Sequence, residues 1–376
     1  MSDENISPIL SVIEKATFTD IALRPGQETR VKTPKGWLPI SVLAQGAAPH
    51  RPTREWLVQF IAEMRGDEDW LKSMGDQGAS LAFMFPFSPK EIRLRCKVAL
   101  CADTTGDGSD FIVHLRNLPM KIPPLGTLGL PPGLNKLLTP AGGLVIITGS
   151  VGSGKTTTMA SLVQNLNETR YSNVIALESL SEYLFPPGNC MITQRTVPKP
   201  VPTFLQGIRD ALDGQAVDVL MIGEVVDQST MDAMLRAAES GHLVIATMHA
   251  RNAVGAISRI VDMFPVTEQS LRLNTLADKL VGVIAQKLIP TVSGEDYALA
   301  YEVLTNATPA VTEAIRSNNS TQLQSQMQMG GEYGMFTLNQ VLRRLIQDKR
   351  IERATGLAVS YDKSELDTLL RTRAPT

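Results

Sequence analysis

The stretch Gly149-Ser150-Val151-Gly152-Ser153-Gly154-Lys155-Thr156 follows the apolar run Leu144-Val145-Ile146-Ile147 and precedes Thr157-Thr158-Met159-Ala160-Ser161-Leu162-Val163. The branched run ahead predicts a buried strand and the segment behind a helix. Glycines at 149, 152 and 154 predict a loop that wraps its backbone N–H groups around phosphate oxygens, where inward-pointing side chains would occupy the anion's place. The spacing is that of the phosphate-binding P-loop. In that pattern Lys155 reaches the β- and γ-phosphates and the Thr156 hydroxyl holds Mg²⁺, while the following helix aims the positive end of its dipole at the anion. The sequence therefore predicts an ATP site at Gly149, Ser150, Val151, Gly152, Ser153, Gly154, Lys155, Thr156 and Thr157.

Further apolar runs follow at Asn173–Glu178, Val217–Ile222 and Leu243–Thr247, separated by helical segments. Near-continuous runs of this kind predict an α/β fold around a parallel sheet buried on both faces. Such a sheet presents its ligand groups beyond the carboxyl ends of its strands. Glu224 stands there after the strand ending at Ile222, and Glu178 and Glu182 follow the neighbouring strand. Carboxylates beside a magnesium triphosphate share metal binding and general-base duty, so Glu224 and Glu178 are both candidates for either task. His242 and His249 bracket the next strand. Each reads as a γ-phosphate contact, and His242 reads equally as a helix-end cap. Asn252–Met263 and Thr267–Leu288 read as amphipathic helices, and the region from about 309 to 376 as mainly helical.

Upstream, residues 1–118 mix short alternating segments with one or two helices, which predicts a small α+β domain. Asp103–Asp110 separates strand-like runs at Arg93–Leu100 and Phe111–Leu118 as a hairpin loop would, and it lacks the twelfth-position Glu of an EF-hand. Residues 119–140 are rich in Pro and Gly and read as a semi-rigid linker before an ATPase domain spanning 141–376.

The chain has 376 residues, 43% of them hydrophobic, which suffices for two cores. A net charge of −2 supplies no global field for nucleic acid, and with 5% aromatic residues no basic stripe interleaved with aromatics is present. A DNA translocase is therefore disfavoured. Joint retention of Lys155, Thr156, Glu178 and Glu224 argues against a scaffold that no longer hydrolyses. Cys96, Cys101 and Cys190 form neither an even disulfide set nor a zinc pattern, as expected of a reduced cytoplasmic protein. No run approaches the length of a membrane span, and the N-terminus has no apolar signal core.

The runs Gly149–Thr157, the Glu178 segment, Val219–Glu224 and Ala237–His249 resemble the Walker A, Asp, Walker B and His boxes of the secretion ATPase superfamily. That superfamily drives type II and type IV secretion, conjugation and type IV pili. The similarity continues through Arg259–Pro265 and Gln286–Leu288 to Gly334–Leu338, over roughly residues 110 to 360. It implies a RecA-like ATPase domain with a helical C-terminal region, preceded by a PAS-like domain. It further implies homohexameric rings with ATP and Mg²⁺ at the boundary between domains and subunits, docked on an inner-membrane platform. The implied site residues are Glu224, Glu178, His249 and His242, with Arg95 and Arg116 supplied by an adjacent subunit and Lys97 standing where arginine is usual.

Lacking the four-cysteine zinc motif of extension and type II members, the chain is similar to the short PilT-like branch, which includes retraction motors and the DotB and TraJ type transfer ATPases. Ser179-Leu180 replaces the usual Asp-Pro, Asp213 replaces a common arginine, and Pro309–Glu313 matches the retraction motors' element poorly. Those departures favour a type IVB-like secretion or conjugation machine, with pilus retraction as the alternative.

Overall fold

This computed structural model describes residues 9, 12, 17–43, 48–71, 80–87, 92–102, 109–118, 121–214 and 216–371. The chain divides into two compact units, Met1–Met120 with Ser293–Tyr297, and Lys121–Val292 with Ala298–Thr376.

In the first unit six strands, β1 (Asp20–Leu23), β2 (Arg30–Thr33), β3 (Gly36–Pro39), β4 (Ser80–Phe87), β5 (Ile92–Ala102) and β6 (Ser109–Leu118), form one sheet in the order β3-β2-β1-β6-β5-β4. Every pairing is antiparallel. Period-two alternation sorts the side chains by face. Leu94, Cys96, Val98, Val113 and Leu115 are buried with Leu57, Phe60 and Ile61 of α1 (Arg54–Arg65), while Arg95, Lys97, His114 and Arg116 occupy the alternate positions. Burial pushes the Cys96 thiol up to about 12, which leaves it a core residue without thiolate chemistry. Residues 103–108 of the expected hairpin loop lie outside the described residues, and the strands flanking them pair as a hairpin requires.

The second unit is built on a seven-stranded sheet in the order β13-β12-β7-β11-β10-β8-β9. Its strands are β7 (Gly143–Gly149), β8 (Asn173–Glu178), β9 (Met191–Thr196), β10 (Val219–Ile222), β11 (Leu243–Met248), β12 (Leu280–Pro290) and β13 (Tyr297–Thr305). From β12 through β9 every pairing is parallel. Strand β7 shows why its apolar run is continuous. Leu144 and Ile146 enter one core with Met231 and Met234 of α4 (Gln228–Glu239) and Ile257 of α5 (Ala253–Asp262). Val145 and Ile147 enter the other with Met159, Leu162 and Val163 of α2 (Lys155–Thr169). Helix α3 (Phe204–Leu212) adds Ile208 to the first core, and α6 (Val266–Lys279) adds Leu276. Helices α7 (Pro309–Arg316), α8 (Ser320–Met329), α9 (Leu338–Gln347), α10 (Arg353–Val359) and α11 (Lys363–Arg371) complete the C-terminal region. The result is a RecA-like α/β domain with a helical C-terminal part, preceded by a sheet domain.

Two expectations change. The helix expected over Thr267–Leu288 stops at Lys279, because Leu280-Val281-Gly282-Val283-Ile284 runs beside β7 as β12. At Gly282 a Cβ would lie 2.7 Å from the Leu304 carbonyl oxygen, so the close strand contact excludes any side chain. The Pro/Gly-rich segment, expected as a semi-rigid linker over 119–140, is packed onto the second unit across its described residues. Its 3₁₀ turn at Leu134–Leu138 buries Leu134, Leu137 and Leu138 in the α2-side core, and Ser161 Oγ donates to the Pro123 carbonyl at 2.7 Å. Polyproline chemistry fixed the backbone there, but the interspersed leucines were covered.

Candidate functional site

Strand β7 ends at Gly149 and α2 begins at Lys155, so the intervening loop lies at the carboxyl edge of the sheet. Gly154 has φ 86°, a left-handed value that favours glycine, and as the cap of α2 it offers no side-chain acceptor. The amides of the first turn of this 15-residue helix are therefore left for an anion, with the helix dipole behind them. Gly149, at φ 148°, has no room for a side chain, since a Cβ would sit 2.3 Å from the Gln286 carbonyl oxygen and 2.6 Å from Ser153 Oγ. These features fit a bound polyphosphate.

Lys155 Nζ donates to the carbonyls of Gly149 and Ser150, each at 3.0 Å, and lies 3.4 Å from His249 Nδ1. Burial lowers its pKa, opposed by the charges of Glu224 and Glu182. Glu182 is thus within electrostatic reach of the lysine. Thr156 and Thr157 lie in the first turn of α2, and the Thr157 hydroxyl bonds that of Tyr183 at 2.9 Å.

Two further strand ends complete the site. Gly223 N donates to Leu177 O at 2.7 Å, and a Cβ on Gly223 would approach the Glu178 Cα to 3.1 Å. Glycine therefore lets β10 and β8 end side by side, bringing Glu224 and Glu178 close along the chain ends. The two carboxylates differ in setting. Glu224 is partly open to solvent and its Oε1 lies 2.9 Å from His249 Nε2, whereas Glu178 is buried and accepts from Gln194 Nε2 at 3.0 Å. The same Gln194 amide donates to Tyr183 O at 2.8 Å. His249, just past β11, also faces the Gly149 carbonyl through Nδ1 at 3.0 Å. The imidazole therefore bridges the carboxylate on one strand end and the first residue of the loop on another.

His242 is not brought to this group. It precedes β11 at the opposite edge of the sheet, with Nδ1 3.1 Å from both Ala237 O and Ser240 Oγ at the end of α4. The helix-end reading is the one realised, because a parallel strand carries its two ends to opposite edges. Arg95 and Arg116 belong to the first unit, where they are register partners on β5 and β6, and Arg116 Nε donates to Asp20 Oδ1 at 2.9 Å. Sequence reasoning missed Gln194 and assigned no task to Gln286, whose Nε2 donates to Ser153 O at 2.7 Å. For Gln286 a signal was present in the Gln286-Lys287-Leu288 match; for Gln194 the polar edge strand β9 gave none.

Comparison with known proteins identifies the family and the fold. The family "Type II/IV secretion system protein" matches residues 123–369. The type IV pilus retractation ATPase PilT of Pseudomonas aeruginosa is 35% identical over 259 residues, 69% of this chain and 73% of that protein. The crystal structure of the pilus retraction motor PilT with bound ADP superimposes with a TM-score of 0.79 at 31% identity, over 96% of this chain and 98% of that one. The Legionella pneumophila ATPase DotB shares the fold, with a TM-score of 0.81 at 23% identity over 96% of each chain. With a family match over most of its length and a P-loop held against a Glu–His pair, this chain belongs to the type II/IV secretion system ATPases and is a nucleotide-binding, ATP-hydrolysing motor protein.

Proposed function

We propose that Gly149–Thr157 takes the phosphates of ATP, with Lys155 turning from its own loop carbonyls to the β- and γ-phosphates, and that Thr156 with Glu224 and Glu178 holds Mg²⁺. The metal, when bound, neutralises charge on the phosphate oxygens. Glu224 takes the proton of the attacking water, and His249 orients that carboxylate. The observation that carries this reading is the 2.9 Å contact between His249 Nε2 and Glu224 Oε1 beside the P-loop lysine. Glu178, tied to Gln194, supports the metal's water shell rather than the proton transfer. Replacing Glu224 by Gln tests the assignment. Retained nucleotide binding with turnover lowered by about 10² or more supports it, and wild-type turnover there with loss in Glu178→Gln reverses it.

The protein works as a homohexamer in which Arg95 and Arg116 of one subunit serve the site of its neighbour, as one P-loop lysine supplies little positive charge for the developing transition state. Mixing Lys155→Ala subunits with Arg116→Ala subunits tests this. Each parent is inactive, and partial recovery of ATPase activity in the mixture supports a shared site. A monomer with undiminished turnover after Arg95→Ala and Arg116→Ala removes it.

The driven machine is a type IV assembly, and the motor docks from the cytoplasm on its inner-membrane platform. Among the described residues no helix is long and apolar enough to cross a membrane. The departures at Ser179-Leu180 and Pro309–Glu313 favour type IVB-like secretion or conjugation. Pilus retraction is the second reading, favoured by the 35% and 31% identities to the PilT proteins against 23% to DotB. Deletion of the gene separates the two: lost twitching with retained DNA transfer supports retraction, and the converse supports transfer.

A further inference from the structure

A loop that turns its amides inward around an anion turns carbonyl oxygens outward, and each buried carbonyl then needs a donor. Lys155 Nζ serves the Gly149 and Ser150 oxygens, but it is also the group a phosphate competes for. The Ser153 oxygen is served differently. Ser153 is buried, and its carbonyl accepts from Nε2 of Gln286 at 2.7 Å. Gln286 lies on β12, is 2% exposed, and pairs in register with Gly149. A Cβ on Gly149 would strike the Gln286 carbonyl oxygen at 2.3 Å, and one on Gly154 would come within 3.1 Å of Gln286 Nε2. One residue therefore touches both ends of the loop.

A second observation bears on why an amide stands there. Gln286 Oε1 is buried and, among the described residues, has no hydrogen-bond partner. A hydrocarbon of the same length would fill the space without leaving a desolvated oxygen. The amide costs stability, and its single bond to the P-loop is what offsets that cost.

We infer that Gln286 is a positioning residue of the nucleotide site, clamping Ser153 so that the amides of the loop keep the shape that receives phosphate. It touches no phosphate itself. The inference rests on the reading of Gly149–Thr156 as the nucleotide site. Because the loop is shared by ground state and transition state, loss of the clamp weakens binding uniformly, raising KM while leaving kcat nearly unchanged.

The test uses the full chain. In Gln286→Met, which keeps length and loses the donor, Kd for ADP and KM for ATP rise about tenfold while kcat stays within about twofold, the change expected for one lost buried hydrogen bond. Gln286→Glu, which sets a carboxylate against the Ser153 carbonyl, weakens binding further. Melting temperatures without nucleotide, taken alongside, report on the fold. Kd and KM within twofold of wild type in both variants overturn the inference, as does a fall confined to kcat or failure of both variants to fold. If Gln286→Met alone fails to fold, Gln286→Glu decides by the same criteria. Lys155→Ala is the control. Wild-type ADP affinity in that variant overturns the reading of the loop, whereas lost affinity there with unchanged Gln286 variants overturns the clamp alone.

Discussion

His249 Nε2 stands 2.9 Å from Glu224 Oε1 while Nδ1 of the same ring stands 3.0 Å from the Gly149 carbonyl oxygen. One ring thus ties the end of β10 to the end of β7 across the intervening strand β11. A His249→Gln substitution keeps one polar group and loses the bridge. We expect kcat to fall about tenfold to a hundredfold with ADP affinity within twofold of wild type, as for a group that orients a base. Steady-state turnover with a fluorescent-ADP titration checks it.

Lys155→Met should abolish ATP turnover and also alter the pH dependence of stability. Burial holds the Lys155 amine below its ordinary 10.5, so between its folded-state value and 10.5 the unfolded chain binds more protons than the folded one. Stability from this group therefore rises with pH in that window, and Lys155→Met removes the rise. Melting temperature against pH on the alkaline side, wild type beside variant, measures it.

The loop, the strand ahead of it, and the β8, β10 and β11 strands were legible because an unbroken apolar run has few destinations other than a doubly covered sheet. Strand β12 was not. Its Leu280–Leu288 stretch continues the apolar spacing of α6, and only pairing with β7 distinguishes the two. The histidines show a different limit. A strand of 6 residues separates His242 from His249, and at about 3.3 Å per residue that is roughly 20 Å, so two residues bracketing it cannot share one site in one subunit. The cue was present in the spacing. For Gln194 no cue existed, since the edge strand Met-Ile-Thr-Gln-Arg-Thr buries no residue fully and has too few apolar side chains to stand out in the sequence.

Asp227 caps α4, accepting from Thr230 N at 2.8 Å and from the hydroxyls of Thr230 and Ser229. Burial alone would raise its pKa, but the Ser229 and Thr230 bonds prevail and hold it below the ordinary 3.8. Its contribution is present above pH 3.8 and is lost as pH falls through the lower folded-state value. Asp227→Ala should cost about 1 kcal/mol at neutral pH, and the difference from wild type should shrink on strong acidification. Urea unfolding at the two pH values tests both statements.

Gly223→Ala should separate the ends of β8 and β10. The new methyl would meet the Glu178 Cα at 3.1 Å and Leu177 O at 3.2 Å, contacts that backbone cannot yield cheaply. A loss of about 1–3 kcal/mol in stability with lowered turnover is expected, and Gly223→Ser should behave alike. A variant with unchanged melting and unchanged kcat would show that the strand ends tolerate the added width.

Tyr361, between α10 and α11, has Lys287 Nζ 4.0 Å and the Arg251 guanidinium 4.8 Å from its ring centroid, and its hydroxyl donates to the Arg251 carbonyl. Arg251 follows His249 by two residues, and Lys287 follows Gln286 directly. One aromatic ring is thus riveted to both of the segments that hold the P-loop from behind. The last helices of the chain are in consequence moored at Tyr361 to the same two segments that face the loop, so the C-terminal region is fastened to the back of the site instead of trailing from the sheet.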